Sequence, residues 1–159
     1  MGIVSFIKGA GSKLFGTDEI EEPKGPSAVE KKAEANASNA LQNLVIKTGL
    51  EIENLDVSYS SRVATISGTT EKQETAEKAV LIVGNVNGVE EVNNLIEVTN
   101  PEAEAVYYTV KSGDYLSKIA KSQYGNASQY KIIFEANKPM LSDPDNIYPG
   151  QVLRIPPLD

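Results

Sequence analysis

Five residues in the middle of the chain, Gly84-Asn85-Val86-Asn87-Gly88, have the makeup of a backbone ligand set for a cation. They lie within Val80–Asn94, VLIVGNVNGVEEVNN, between the end of an amphipathic helix and the start of a strand. Glycine reaches positive φ without steric cost, so a turn with glycine at both ends can fold tightly and aim several carbonyls inward. Each carbonyl has two lone pairs and needs a partner when buried. A ring of such neutral oxygens replaces the hydration shell of a large monovalent cation in potassium filters. The same five residues also suit an ordinary helix-to-strand turn, and their spacing alone leaves both readings open.

Other chemistries find less support. The chain of 159 residues has no Cys and no His. Disulfides, imidazole bases, Ser-His or Cys-His pairs and nearly every zinc site are therefore excluded. Asp143-Pro144-Asp145-Asn146 resembles the start of a calcium loop, but Ile147 stands where the next acidic or amide oxygen is needed, so a surface loop is expected. Gly9-Ala10-Gly11-Ser12-Lys13 lacks the glycine-to-lysine spacing of a phosphate loop, and no strand precedes it. The acidic pairs Glu21-Glu22 and Glu90-Glu91, without a pocket or a partner base, are expected as solvated charges. A binding protein is expected, not an enzyme.

Charge is unevenly distributed. The net charge is −7, with +2 over residues 1–16, −3 over 17–37, −5 over 38–99 and −1 over 100–159. The acidic middle disfavours nucleic acid and favours cations. No apolar run is long enough to span a bilayer. Residues 1–16 place Ile3, Val4, Phe6, Ile7, Ala10, Leu14 and Phe15 at helical spacing, which predicts an amphipathic helix. Lys8 and Lys13 interrupt the apolar run and no basic residue precedes it, unlike an export signal. The segment is therefore expected to be retained, in a cytoplasmic protein. Two lysines make a thin basic face, so docking on the next domain is preferred to a membrane surface.

The elements that would position the turn follow in order. Residues 17–26, acidic with two prolines, form a linker. Ser27 and Glu30 suggest a capping box, opening a helix whose stripe is Val29, Ala33, Ala37, Ala40, Leu41, Leu44 and Val45, and which ends at Gly49. Two strands follow, around Leu55–Tyr59 and Val63–Gly68, joined near Ser60-Ser61 with Arg62 just beyond. Thr70 and Gln73 suggest a second capping box, for a helix over residues 71–83 burying Ala76, Ala79, Val80 and Val83. Val89–Val98 is the third strand, so that 27–99 forms an αββαβ unit with helices on one face of a small sheet. After a linker at 100–105, residues 106–157 read as strand, helix, helix, strand. Leu116, Ile119 and Ala120 mark the first of these helices, and Tyr130, Ile133, Phe134 and Ala136 the second. Pro149-Gly150 turns the chain into Val152–Ile155.

The clusters YTVKSGDYLSKIA, YG, IFEANK and IYPGQVLRIP make residues 106–157 resemble a LysM module. The element order of 27–99, with Ile66-Ser67-Gly68 before the second helix and Gly88-Val89 before the last strand, resembles a BON domain. Together with Met1-Gly2, Ala10-Gly11 and Gly84-Asn85, the whole resembles the family of small cytoplasmic BON–LysM potassium-binding proteins. That resemblance implies an α+β fold comprising an N-terminal amphipathic helix, a BON domain and a LysM domain. It also implies one K+ held by backbone carbonyls, which map here to Ile7, Ala10, Gly84, Val86, Gly88 and Val89. LysM modules elsewhere bind N-acetylglucosamine chains between loops that correspond to Gly113-Asp114-Tyr115 and Leu141–Ile147. In a cytoplasmic protein a protein partner for LysM is preferred to a glycan.

Overall fold

The computed structural model describes residues 2–5 and 27–158. Strand β1 (Gly2–Ser5) starts the chain where a helix is expected. The β-branched pair Ile3-Val4 suits a strand, and an open sheet edge receives it: Val4 pairs with Val92 and Ser5 with Glu91. The rest of the expected first helix, including Ile7 and Ala10, lies outside the described residues, as does the linker at 17–26.

Helix α1 (Ser27–Lys47) buries Ala37, Leu41 and Val45, four residues apart along one line. Ala40, expected in that stripe, is exposed. It sits about 100° around the axis from Leu41, beyond the narrow face that meets the sheet. The side chains of the Ser27–Glu30 capping box lie outside the described set.

Strands β2 (Glu53–Ser60) and β3 (Val63–Lys72) form a hairpin that puts Val57 and Tyr59 beside Ile66 and Ala64 in the core. Ser61 and Arg62 are both left-handed, with φ of 50° and 65°. Arg62 is thus inside the turn, not beyond it, in the two-residue geometry that matches strand twist. Gly68 has φ 147°, and a Cβ there would stand 2.6 Å from Ile52 Cγ2 and 2.8 Å from Glu53 O. Glycine allows the strands to close at that point.

The outer edge of β2 is sealed by helix α1. Val57 N donates to Gln42 Oε1 (3.2 Å), Tyr59 N to Ser38 Oγ (2.8 Å) and Ser61 N to Glu34 Oε1 (3.2 Å). Side chains four apart on a helix advance about 6 Å, close to two residues of strand. One helix row therefore satisfies alternate edge N–H groups that would otherwise invite another strand.

Strand β3 runs parallel to β4 (Glu91–Asn100), connected by helix α2 (Gln73–Gly84). The ladder continues through Thr70↔Val98 and Lys72↔Asn100, so α2 starts two residues later than expected. Thr70 Oγ1 donates instead to Glu51 O at 2.8 Å, and the helix has no side-chain N-cap. The expected Thr70–Gln73 capping box is not formed, because the sheet claims Thr70. Strand order is β1-β4-β3-β2. Beyond the four positions expected to be buried, α2 also buries Glu77, Leu81 and Ile82. A helix apolar on most sides is enclosed on most sides: the sheet and α1 cover one side of α2, and the C-terminal unit the other.

That unit comprises β5 (Val106–Thr109), α3 (Leu116–Tyr124), a 3-10 turn (Ala127–Gln129), α4 (Tyr130–Ala136) and β6 (Val152–Ile155). β5 and β6 pair antiparallel. Ile119, Ile133, Leu141 and Leu153 fill its interior, continuous with the core of the first unit. The order βααβ is as expected. Asp143–Asn146 is a surface loop in which Asp145 N donates to Asp143 Oδ1 at 2.8 Å.

Candidate functional site

Helix α2 runs out at Gly84, and the chain makes two tight turns before β4. Asn85 N donates to Leu81 O, Val86 N to Val83 O and Val89 N to Val86 O, at 3.0, 3.2 and 3.1 Å. Gly84, Val86, Gly88 and Val89 are all buried here. Positive φ occurs at Gly88 (φ 100°) but not at Gly84, which is the last helical residue. Of the two glycines that flank the turn, Gly88 alone takes the left-handed conformation, and Gly84 is a buried helix end.

Tyr59 holds this turn from within the first unit. Its hydroxyl donates to Gly88 O at 3.0 Å in a buried setting. The second lone pair of that carbonyl is not used by this bond. Beside the turn, Arg62 O accepts from Glu90 N (2.9 Å) and Glu91 N (3.4 Å), and Arg62 Nη1 lies 3.4 Å from Glu90 Oε1. Glu90 is thus a member of an ion pair, not simply a solvated charge.

Asn85 holds the turn from the other side. Its side chain is 2% exposed and reaches across the junction to β6: Val152 N donates to Asn85 Oδ1 (2.9 Å), and Asn85 Nδ2 donates to Val152 O (3.0 Å). The same Nδ2 also donates to Leu81 O (3.0 Å) and meets Met140 Sδ at 3.2 Å. An amide side chain here replaces a neighbouring strand, because one edge of β6 would otherwise be buried without partners. Asn137 repeats the device two residues along: Arg154 N donates to its Oδ1 (2.7 Å), and its Nδ2 donates to Arg154 O (2.8 Å).

A buried ion pair completes the junction. Arg154 Nε donates to Glu77 Oε2 at 2.7 Å, with side chains 8% and 4% exposed. Ala105 N also donates to the Glu77 carboxylate. Burial, and then the negative charge of Glu77, push the Tyr107 hydroxyl above its ordinary range.

In the C-terminal unit the Gly113-Asp114-Tyr115 loop is organised by its acid. Asp114 Oδ2 accepts from Tyr108 Oη (2.7 Å) and Lys111 N (2.9 Å). The Tyr108 hydroxyl, above all, holds the Asp114 carboxyl below the usual carboxylate range. Tyr115 is 57% exposed beside it.

Among the expected ligands, Gly84, Val86, Gly88 and Val89 come together in one buried turn, while Ile7 and Ala10 lie outside the described residues. Among the described residues no group of three or more acids converges as a metal site. Neutral carbonyls are the oxygens on offer, a donor set that suits a monovalent ion better than calcium or magnesium. Sequence reasoning missed Tyr59, Asn85, Asn137 and the Glu77–Arg154 pair. Glu77 did carry a signal: it falls among Ala76, Ala79 and Val80, where a charge needs a buried partner.

Comparison with known proteins bears on the two domains. The BON domain profile matches residues 33–100, and the LysM domain profile matches residues 108–156. Over 157 residues, 98% of this chain and 99% of the relative, the sequence is 41% identical to the potassium binding protein Kbp of Escherichia coli O6:H1. It is 34% identical over 113 residues to an uncharacterized protein of Deinococcus radiodurans, covering 64% of this chain and 44% of that protein.

Proposed function

This chain belongs to the family of the potassium binding protein Kbp, and on that premise we propose that it binds one K+ through main-chain carbonyls. The ligands are Gly84, Val86 and Gly88, with Val89, from the turn, and Ile7 and Ala10 from the N-terminal segment. The observation that carries this reading is the pairing of Ser5 with Glu91. It delivers the N-terminal segment to the strand that leaves the turn. From Ser5, Ile7 is within about 7 Å of chain and Ala10 within about 18 Å. The acidic stretch from 38 to 99 adds long-range attraction for a cation without direct ligation.

The protein acts as a cytoplasmic potassium sensor or buffer. K+ joins two remote pieces of chain, orders the N-terminal segment against the turn and tightens the molecule. Its LysM domain serves as a surface for a protein partner. Among the described residues, no helix is long and apolar enough to cross a membrane.

Thermal melting in matched KCl and NaCl series tests the function. A site specific to the folded state adds about 2.7 kcal/mol at a hundred times its Kd. The midpoint is expected to rise with KCl and not with NaCl; equal midpoints throughout would remove the reading.

A further inference from the structure

We infer that Asn85 makes the LysM strand β6 a working part of the cation turn, so that ion affinity and docking of the two domains are linked through this one side chain. The inference rests on the proposed site at Gly84–Gly88. Asn85 lies inside that turn, yet its side chain spends both polar atoms on the backbone of Val152, 67 residues away. The backbone N–H of Asn85 is fixed to Leu81 O and its side-chain amide to Leu81 O and Val152 O. The peptide planes between Gly84 and Val86 are therefore aimed by a frame that includes LysM. Tyr59 sets the other end, at Gly88 O.

Any ion that selects one aim of these carbonyls selects the docked position of β6, and by linkage docking raises affinity for the ion by the same factor. The fold supplies its own comparison. Asn137 grips Arg154 with the same two bonds, but entirely within LysM. Glu77 grips the Arg154 side chain across the junction, eight residues and about 12 Å of helix before Asn85. Among the described residues, Asn85 alone combines a place in the turn with a hold on β6. It is a positioning residue: it holds no ion itself.

The test uses the full chain, with potassium binding followed by calorimetry and amide hydrogen exchange followed at Val152 and Arg154. In the wild type, KCl is expected to slow exchange at Val152 and leave Arg154 nearly unchanged. Asn85→Ala is expected to bind K+ about tenfold more weakly and to lose the potassium response at Val152. Glu77→Gln, which loosens the junction away from the turn, is expected to keep that response. Asn85→Asp retains the acceptor for Val152 N–H and serves if the alanine variant does not fold; it too is expected to bind more weakly. Wild-type affinity together with a wild-type response at Val152 in a folded Asn85 variant overturns the inference. Absence of potassium binding in the wild type overturns the site itself, and with it the inference.

Discussion

Arg154 on the last strand and Glu77 on the second helix form a buried ion pair, Nε to Oε2 at 2.7 Å, that ties the C-terminal domain to the first. Removing one member leaves the other charged and enclosed, which costs about 3–5 kcal/mol. Glu77→Ala is expected to lose stability on that scale in urea unfolding. The double variant Glu77→Leu, Arg154→Met is expected to recover most of it, since neither charge is then left stranded.

Tyr59→Phe removes the hydroxyl that donates to Gly88 O while keeping the ring in the core. One neutral hydrogen bond contributes about 1 kcal/mol, so a modest loss in urea midpoint is expected. If Gly88 O is a ligand, potassium affinity measured by calorimetry falls with it, because the carbonyl loses its fixed aim.

Gly88 stands at φ 100°, and a side chain there meets a strain of about 1–2 kcal/mol. Gly88→Ala is expected to unfold earlier and to shift the turn. Adding Gly84→Val crowds the buried helix end as well. Unchanged potassium affinity in the Gly84→Val, Gly88→Val double variant would place the ion elsewhere.

Asp114 gives the C-terminal domain an acid dependence. Its folded carboxyl titrates below the ordinary range because Tyr108, and to a smaller extent Lys111 N and Lys118, favour the charged form. The added stability is thus fully present above the unfolded pKa, about 3.9, and is lost as pH falls through the folded value. Asp114→Asn is expected to be less stable than the wild type at pH 7. The gap narrows once pH drops below 4, as read from denaturant midpoints across that range.

Ser38 Oγ accepts from Tyr59 N at the sealed edge of β2. Ser38→Ala removes that bond, at a cost of about 1 kcal/mol. Amide exchange at Tyr59 is expected to speed up while exchange at Ile66, within the sheet, keeps its protection.

Much of the fold follows from local pattern. The alternation of Val57 and Tyr59, the helical spacing of Ala37, Leu41 and Val45, and the Pro149-Gly150 turn each state their structure within a few residues. So does the buried turn that carries Gly84, Val86, Gly88 and Val89. Element ends were less legible: Thr70 has the chemistry of a helix cap, but an available partner strand gave it a place in the sheet. Gly2–Ser5 was settled the same way, by pairing with β4. What tertiary structure alone decided is the junction, where Asn85 meets Val152 and Glu77 meets Arg154. Those partners lie 67 and 77 residues apart, and nothing in the neighbourhood of a lone asparagine or glutamate specifies which distant backbone or guanidinium will fill its unmet hydrogen bonds. Periodicity encodes which face of an element is buried; only the packed chain determines what that face is buried against.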